Sequence, residues 1–296
     1  MAKARRISRH IRTVRNIHGV TRAMHLVSTL RFRRAYDSLG AVRPYVASLV
    51  EMAADAIARA GEPVSHPLLE GDESVRREVL LVLSSRRGLC GAYNNGVARI
   101  AAERTGQLAD AGYDVLLRCA GKRGQLILES KGFDVDRTYD GFDRAPDART
   151  VGLLADELMR EFLDGAVSGL EVAYTQFVSS GRQRPAIAQI LPLTQLEPPK
   201  PVLPTAAEPV PYECMPSASE LLEILLPEAA RMKLYQCFVD AHVSEQIARM
   251  TAMRSATDSA EEMIRDLTAR YHRARQAQIT TELAEIMGGR EGVEAS

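Results

Sequence analysis

LYQCFVDAHVSEQIARMTAMRSATDSAEEMIRDLTARYHRARQAQITTELAEIMGG, residues 234–289, decides the fold of this chain. Met250, Met253, Thr257, Ala260, Ile264, Leu267, Tyr271 and Ala274 recur at alternating steps of 3 and 4, the seam of a coiled coil. No Gly or Pro interrupts the run before Gly288-Gly289, which reads as its stop. A helix of roughly 60 residues spans about 90 Å, more than one compact domain needs. Its stripe requires a partner helix, and the reading is a shaft or strut, not a pocket.

That partner is found at the other end of the chain. Residues 3 to about 60 read as helix, with Ile7, Ile11, Val14 and Ile17 at helical spacing and Met24, Val27, Leu30 and Ala35 continuing an apolar side whose register drifts. Gly19 weakens this helix by about 1 kcal/mol, and Pro44 is expected to kink it or mark a joint. Gly61-Glu62-Pro63 closes the segment. Residues 1–45 carry eleven cations and one anion, Asp37, so the segment is +10 and the neutral chain is −10 elsewhere. Basic arms of this kind meet phosphates or acidic protein surfaces.

Between the two helices the pattern changes. Glu78–Ser84 reads as a buried strand, followed by the turn Gly88-Leu-Cys-Gly91 and a helix near Val97–Gly112. Asp114–Cys119 is a second strand, and Gly121-Lys-Arg-Gly124 opens a helix ending at Gly132. Thr150–Leu163 is a third helix, and Glu171–Phe177 and Ala186–Pro192 form a hairpin. Alternating strands and helices predict a Rossmann-like α/β layer with a mostly parallel sheet and an antiparallel edge. Seven prolines between 198 and 216 mark an extended connector. Ser217-Ala-Ser-Glu220 fits a capping box, a short helix runs to Leu226, and Pro227 suits the first position of the next helix. The expected organisation is an N-terminal helix (1–60), an α/β domain (76–195), a connector (196–216) and a C-terminal helical segment (217–289). The fold class is α/β with long helices, the two ends pairing as an antiparallel coiled coil.

Cys90, Cys119, Cys214 and Cys237 show neither C-x-x-C nor zinc spacing and read as reduced and structural. The N-terminus has no apolar h-region, and the longest strongly apolar run, Val79–Leu83, is too short to cross a bilayer. Gly88-Leu-Cys-Gly91 follows a strand as phosphate loops do. The alternative reading is therefore a nucleotide-binding enzyme using the α/β domain. Against it, the chain has neither G-x-G-x-x-G nor a Walker Gly-Lys-Ser/Thr, and its six histidines form no metal-ligand set. The basic arm also admits nucleic acid as a partner, but it carries only Phe32, Tyr36 and Tyr45 as aromatics and no zipper follows it.

Several blocks resemble the γ subunit of F-type ATP synthases: Ser244–Ala260, Tyr271–Ile286, Val20-Thr-Arg-Ala-Met24, Arg87-Gly-Leu-Cys-Gly91 and Arg43-Pro-Tyr45, in the family's order. The resemblance implies a non-catalytic central rotor shaft inside a hexamer of α and β subunits, with catalysis on β. It implies an α/β domain near the membrane ring (the c-ring) and the ε subunit, and no cofactor or metal of its own. It implies a peripheral place at the cytoplasmic face of a bacterial membrane, coupling ion flow to ATP synthesis or hydrolysis. Met24, Arg87, Arg275 and Gln276 match family positions that contact β. The plain alternatives are a core methionine, a turn arginine in water and a solvated helix face. Ile279, Leu283, Ile286 and Met287 would form an apolar bearing tip with few fixed charges. The chain departs from the family pattern at Arg86, where Asp is usual, and at His18-Gly19, where Gln-Lys is usual. The lone Cys214 predicts no thiol switch.

Overall fold

The computed structural model describes residues 2–59, 65–72, 74–142, 145–193 and 217–294, with the side chains of 2, 3, 58, 59, 218 and 285–294 left out. The expected closure at Gly61-Glu62-Pro63, the connector and Cys214 lie outside the described residues. The elements are α1 (Ala2–Arg59), β1 (Arg77–Leu83), α2 (Tyr93–Asp110), β2 (Asp114–Ala120), α3 (Lys122–Ser130), β3 (Arg137–Tyr139), α4 (Ala148–Leu163), β4 (Gly169–Ser179), β5 (Arg182–Leu191) and α5 (Ala218–Glu294). They form two compact units, Met1–Thr29 with Arg249–Ser296, and Leu30–Ala248.

In the first unit, α1 and α5 run antiparallel. Ile7, Ile11 and Val14 pack with Ala260, Ile264, Leu267 and Tyr271. Further along, His18 Nε2 meets Glu261 Oε1 at 3.0 Å and Thr257 Oγ1 donates to Thr21 Oγ1 at 2.9 Å. α1 numbers rise while α5 numbers fall. Every position of the predicted α5 seam from Met250 to Ala274 is buried or half-buried. The α1 side differs from the reading above. Ile17, Val27 and Leu30 are about half exposed or more (50%, 48% and 59%). The inward positions are Ile7, Ile11, Val14, His18, Thr21, His25 and Ser28, all buried or half-buried. These steps alternate 4 and 3, so the heptad geometry carries the seam straight through polar side chains while the apolar stripe drifts outward.

The second unit holds a five-stranded sheet in the order β3-β2-β1-β4-β5. β1 pairs in parallel with β2 and β4, β2 with β3, and β4 pairs antiparallel with β5. β3, three residues long, carries no period to read from sequence. β1 is buried on both faces, so its run is continuously apolar. Val79, Leu81 and Leu83 pack with Leu154 and Leu158 of α4 and Leu222, Leu226 and Leu234 of α5, together with Ala53 of α1. Leu80 and Val82 pack on the other face with Val97, Ala98 and Ala101 of α2 and Leu128 of α3. The middle layer is an α/β sandwich with a mostly parallel sheet and an antiparallel edge, as the alternation predicts.

Of the local expectations, two resolve differently. Ser217 Oγ accepts from the Glu220 amide at 3.2 Å, which supplies the expected cap of α5. Pro227, however, lies inside α5 and starts no new helix. Its missing N–H costs about 3 kcal/mol in a helix interior. Burial of Leu222, Leu225, Leu226, Ala229 and Ala230 on both sides of it holds the helix through, each large side chain contributing about 1.5–3 kcal/mol. α5 also continues past Gly288-Gly289 to Glu294; two glycines cost about 1 kcal/mol each and remove no backbone donor, so they weaken a helix without ending it. α1 contains Pro44 within one helix.

α4 begins at Asp147, whose carboxylate accepts from the amide and the hydroxyl of Thr150, both at 3.0 Å. Asp147→Ala is expected to destabilise the second unit by about 1 kcal/mol, the usual value of such a cap, read as a lowered urea midpoint. An unchanged midpoint would show that the start of α4 is held by packing alone.

Candidate functional site

In a doubly wound sheet the place for a nucleotide is the crevice beyond the carboxyl ends of the strands. Here the crevice beyond β1 is filled. Phe238, Ala241 and His242 of α5 line it together with Leu83, Ser84, Tyr93 and Phe142, and the cavity left is about 30 Å³, room for about one water. Tyr93 Oη donates to the Ala241 carbonyl, and the Phe142 and Phe238 rings pack tilted with centroids 4.6 Å apart. The Gly88-Leu-Cys-Gly91 turn is tied from beneath by its own neighbours. Asn94 Nδ2 reaches Cys90 Sγ at 3.2 Å, the Ser85 amide donates to Asn94 Oδ1 at 2.9 Å, and Ser85 Oγ donates to the Arg87 carbonyl at 2.6 Å. This buried knot pins a loop that turns outward. Leu89 takes φ +65° and is 59% exposed, and Arg87 is exposed beside it.

The most strongly perturbed ionisable groups of the second unit are buried structural ones. Arg118, 3% exposed, lies between Asp136 and Glu161 at 2.9 and 2.8 Å. Burial pushes the Cys119 and Cys237 thiols up to about 12, so neither is a thiolate nucleophile at neutral pH. Cys90, Cys119 and Cys237 are free and buried, as structural thiols are.

The predicted contact residues fall in both units. Met24 is half-buried in the first unit. Arg275 and Gln276 are exposed on α5. Arg275 lines a groove of about 640 Å³ with Arg5, Arg9, Tyr271, Gln278 and Ile279. Arg6, His10, Arg270 and Arg273 line a second groove of about 600 Å³. Of the expected bearing tip, Ile279 and Leu283 are 45% and 56% exposed; the side chains of Ile286 and Met287 lie outside the described residues. Arg87 belongs to the second unit. Arg5 and Arg9 were read as part of the basic arm, but their place beside Arg275 and the outward Leu89 were missed in sequence. The signals were a heptad that leaves Arg5, Arg9 and Arg275 off the seam, and a leucine between two glycines.

The model of the family described as ATP synthase matches residues 3–293. A gamma chain from Rhodopirellula baltica is 38% identical over 296 residues, covering 99% of this chain and all of its own length. The gamma chain of Kineococcus radiotolerans is 36% identical, covering 97% and 96%.

This chain belongs to the ATP synthase gamma-chain family. Membership extends from end to end, so the paired termini and the α/β unit are both features of a gamma chain. Solved structures share the fold. The rotor of the Euglena gracilis mitochondrial ATP synthase superposes with a TM-score of 0.67 at 14% identity, covering 94% of this chain and 99% of that one. The central stalk and c-ring structure of Tetrahymena thermophila gives 0.58 at 17%, covering 80% and 99%. Among the described residues of this gamma chain, no helix is long and apolar enough to cross a membrane.

Proposed function

We propose that the chain is the non-catalytic central shaft of an ATP synthase, coupling ion flow to ATP synthesis or hydrolysis. The observation that carries this is the antiparallel seam of α1 and α5, from Ile7 against Tyr271 to Thr21 against Thr257, in a chain that aligns with gamma chains over its whole length. Paired helices resist twisting better than one. Different faces toward successive partners supply the differential contacts that alone shift a partner's conformational equilibrium. The partners are a hexamer of α and β subunits, which holds the nucleotide sites, with the ε subunit and the c-ring at the α/β unit. The paired termini are the shaft domain and residues 76–195 the α/β domain. The chain needs no cofactor and reaches the cytoplasmic face of a bacterial membrane peripherally, through the complex.

Met24, Arg87, Arg275 and Gln276 are the residues proposed to meet β, and Ile279, Leu283, Ile286 and Met287 the bearing tip. Apolar contacts are nondirectional, so exposed Ile279 and Leu283 suit a surface that slides. The arginines around Arg275 suit acidic segments of β. Copurification tests the reading. One copy of this chain is expected with three copies each of two larger nucleotide-binding subunits; recovery only as a solitary monomer would refute it. Met24→Lys places a cation on a half-buried shaft position, where a long side chain reaches solvent without unfolding the helix. Assembly is expected to survive while ions moved per ATP fall several-fold, within the 0.5–2 kcal/mol range of coupling changes. A wild-type ratio would remove Met24 from the contact set.

A further inference from the structure

α1 contains a weak point within the second unit. Pro44 has no N–H to offer the Gly40 carbonyl, and its ring disfavours helical backbone at Arg43. Gly40 is itself exposed, with nothing within 4 Å of where a side chain would start. Twist applied to α1 would therefore concentrate between Gly40 and Pro44. At this point the Arg43 guanidinium leaves the helix and joins three elements. Its Nη2 donates to the Phe177 carbonyl of β4 and, at 2.7 Å, to Asp240 Oδ1 of α5. Asp240 is 1% exposed at its side chain while Arg43 is 38% exposed. The second carboxylate oxygen of Asp240 is buried and accepts no hydrogen bond, so Arg43 is the compensating charge of a buried anion. Burial pushes the Asp240 carboxyl up and Arg43 pulls it back.

The neighbouring contacts are of another kind. Phe32 and Tyr36 of α1 pack on Phe177 with ring centroids 6.2 and 5.8 Å apart. Apolar contacts of this sort hold surfaces together without fixing their register. A charge-assisted hydrogen bond to a buried carboxylate does fix it, because displacement leaves the charge unpaired.

We propose that Arg43 and Asp240 are positioning residues that lock α1, β4 and α5 into one torsionally rigid body, and that energy coupling depends on this lock more than folding does. The inference rests on the shaft function proposed above. Arg43→Lys keeps the charge but replaces the guanidinium, whose Nη2 serves both acceptors, with a shorter side chain ending in a compact, strongly hydrated ammonium. In the assembled complex, Arg43→Lys is expected to hydrolyse ATP without load at a rate within about twofold of wild type. Ions pumped per ATP against a gradient are expected to fall about fivefold, a change within the range seen for coupling residues. The thermal angular fluctuation of a probe fixed to the α/β unit should widen. Pro44→Ala restores the helix hydrogen bond from within. Added to Arg43→Lys it is expected to narrow the fluctuation and recover at least half of the lost pumping, which a merely structural role for Arg43 would not predict. Wild-type pumping and wild-type fluctuation in Arg43→Lys would overturn the proposal, as would a loss that Pro44→Ala leaves unrelieved. A wild-type chain that neither assembles nor rotates would instead sink the shaft reading itself.

Discussion

Gly121→Ala is expected to destabilise the second unit by about 4 kcal/mol or more, among the largest effects a single methyl group produces. Gly121 caps α3 with φ +112° and ψ 125°, backbone that only glycine adopts at little cost. A Cβ there would lie 2.1 Å from the Ser84 carbonyl oxygen and 2.7 Å from its carbon. Both atoms are backbone and neither can swing aside. The Ser84 amide donates to the Ala120 carbonyl at 2.9 Å, and Ser84 Oγ donates to the Gly121 carbonyl at 2.7 Å. Relief would therefore require parting β1 from β2 at the centre of the sheet. Gly132→Ala is the control. Its φ is +87° but nothing lies within 4 Å, so it should cost only the left-handed backbone penalty of about 1–2 kcal/mol. Urea unfolding of the two variants separates strain from collision. Equal losses would show that β1 and β2 are less rigidly joined than their bonding implies.

Arg104→Met is expected to lower stability by about 2–4 kcal/mol at pH 8, somewhat below the range for breaking a fully buried pair because Arg104 is a third exposed. Arg104 Nε and Nη2 each reach Glu171 at 2.6 Å, and Glu171 is 8% exposed. Glu78 lies on the adjoining strand, two register positions away. Burial first, then repulsion by Glu171, raises its carboxyl, while Arg104 opposes both. A carboxyl raised in the folded state holds a proton that the unfolded chain releases. Its contribution to stability is present below the unfolded pKa of 4.5 and is lost as pH rises through the folded value. Removing Arg104 raises that folded value further, since two carboxylates left together cannot both ionise cheaply. The variant should therefore recover much of its deficit between pH 8 and pH 5. Equal deficits at both pH values would mean that Glu78 and Glu171 are not coupled through Arg104.

How far these features were legible in sequence depends on the range of the interaction responsible. Met250 to Ala274 announced the α5 seam because each step of 3 or 4 is a local distance on one helix. The strands Arg77–Leu83 and Asp114–Ala120 were equally plain, since a sheet covered on both faces leaves a run of apolar residues. Past Val14 the drifting apolar side of α1 was only partly right, with Met24 half-buried and Ala35 buried, because apolarity was followed where geometry ruled. His18, Thr21 and Ser28 face inward through their heptad places, and Ile17, Val27 and Leu30 turn out. Of the candidate contact residues, Arg275, Gln276 and Arg87 came from the resemblance to the γ subunit, and all three are exposed. Arg5 and Arg9 joined Arg275 only once α1 lay beside α5.

Chain-local physics, then, was enough for a long C-terminal helix with a coiled-coil stripe, a basic N-terminal helix and an alternating strand-helix centre. Packing settled the rest. Pro227 stays within a helix because leucines on either side of it are buried, a gain local propensity does not contain. The crevice beyond β1 is closed because Phe238 and Ala241 arrive from 150 residues downstream. Arg43 finds Asp240 across a separation of 197 residues. Such contacts carry no periodicity, and a buried charge reveals its partner only when the intervening chain has folded around both.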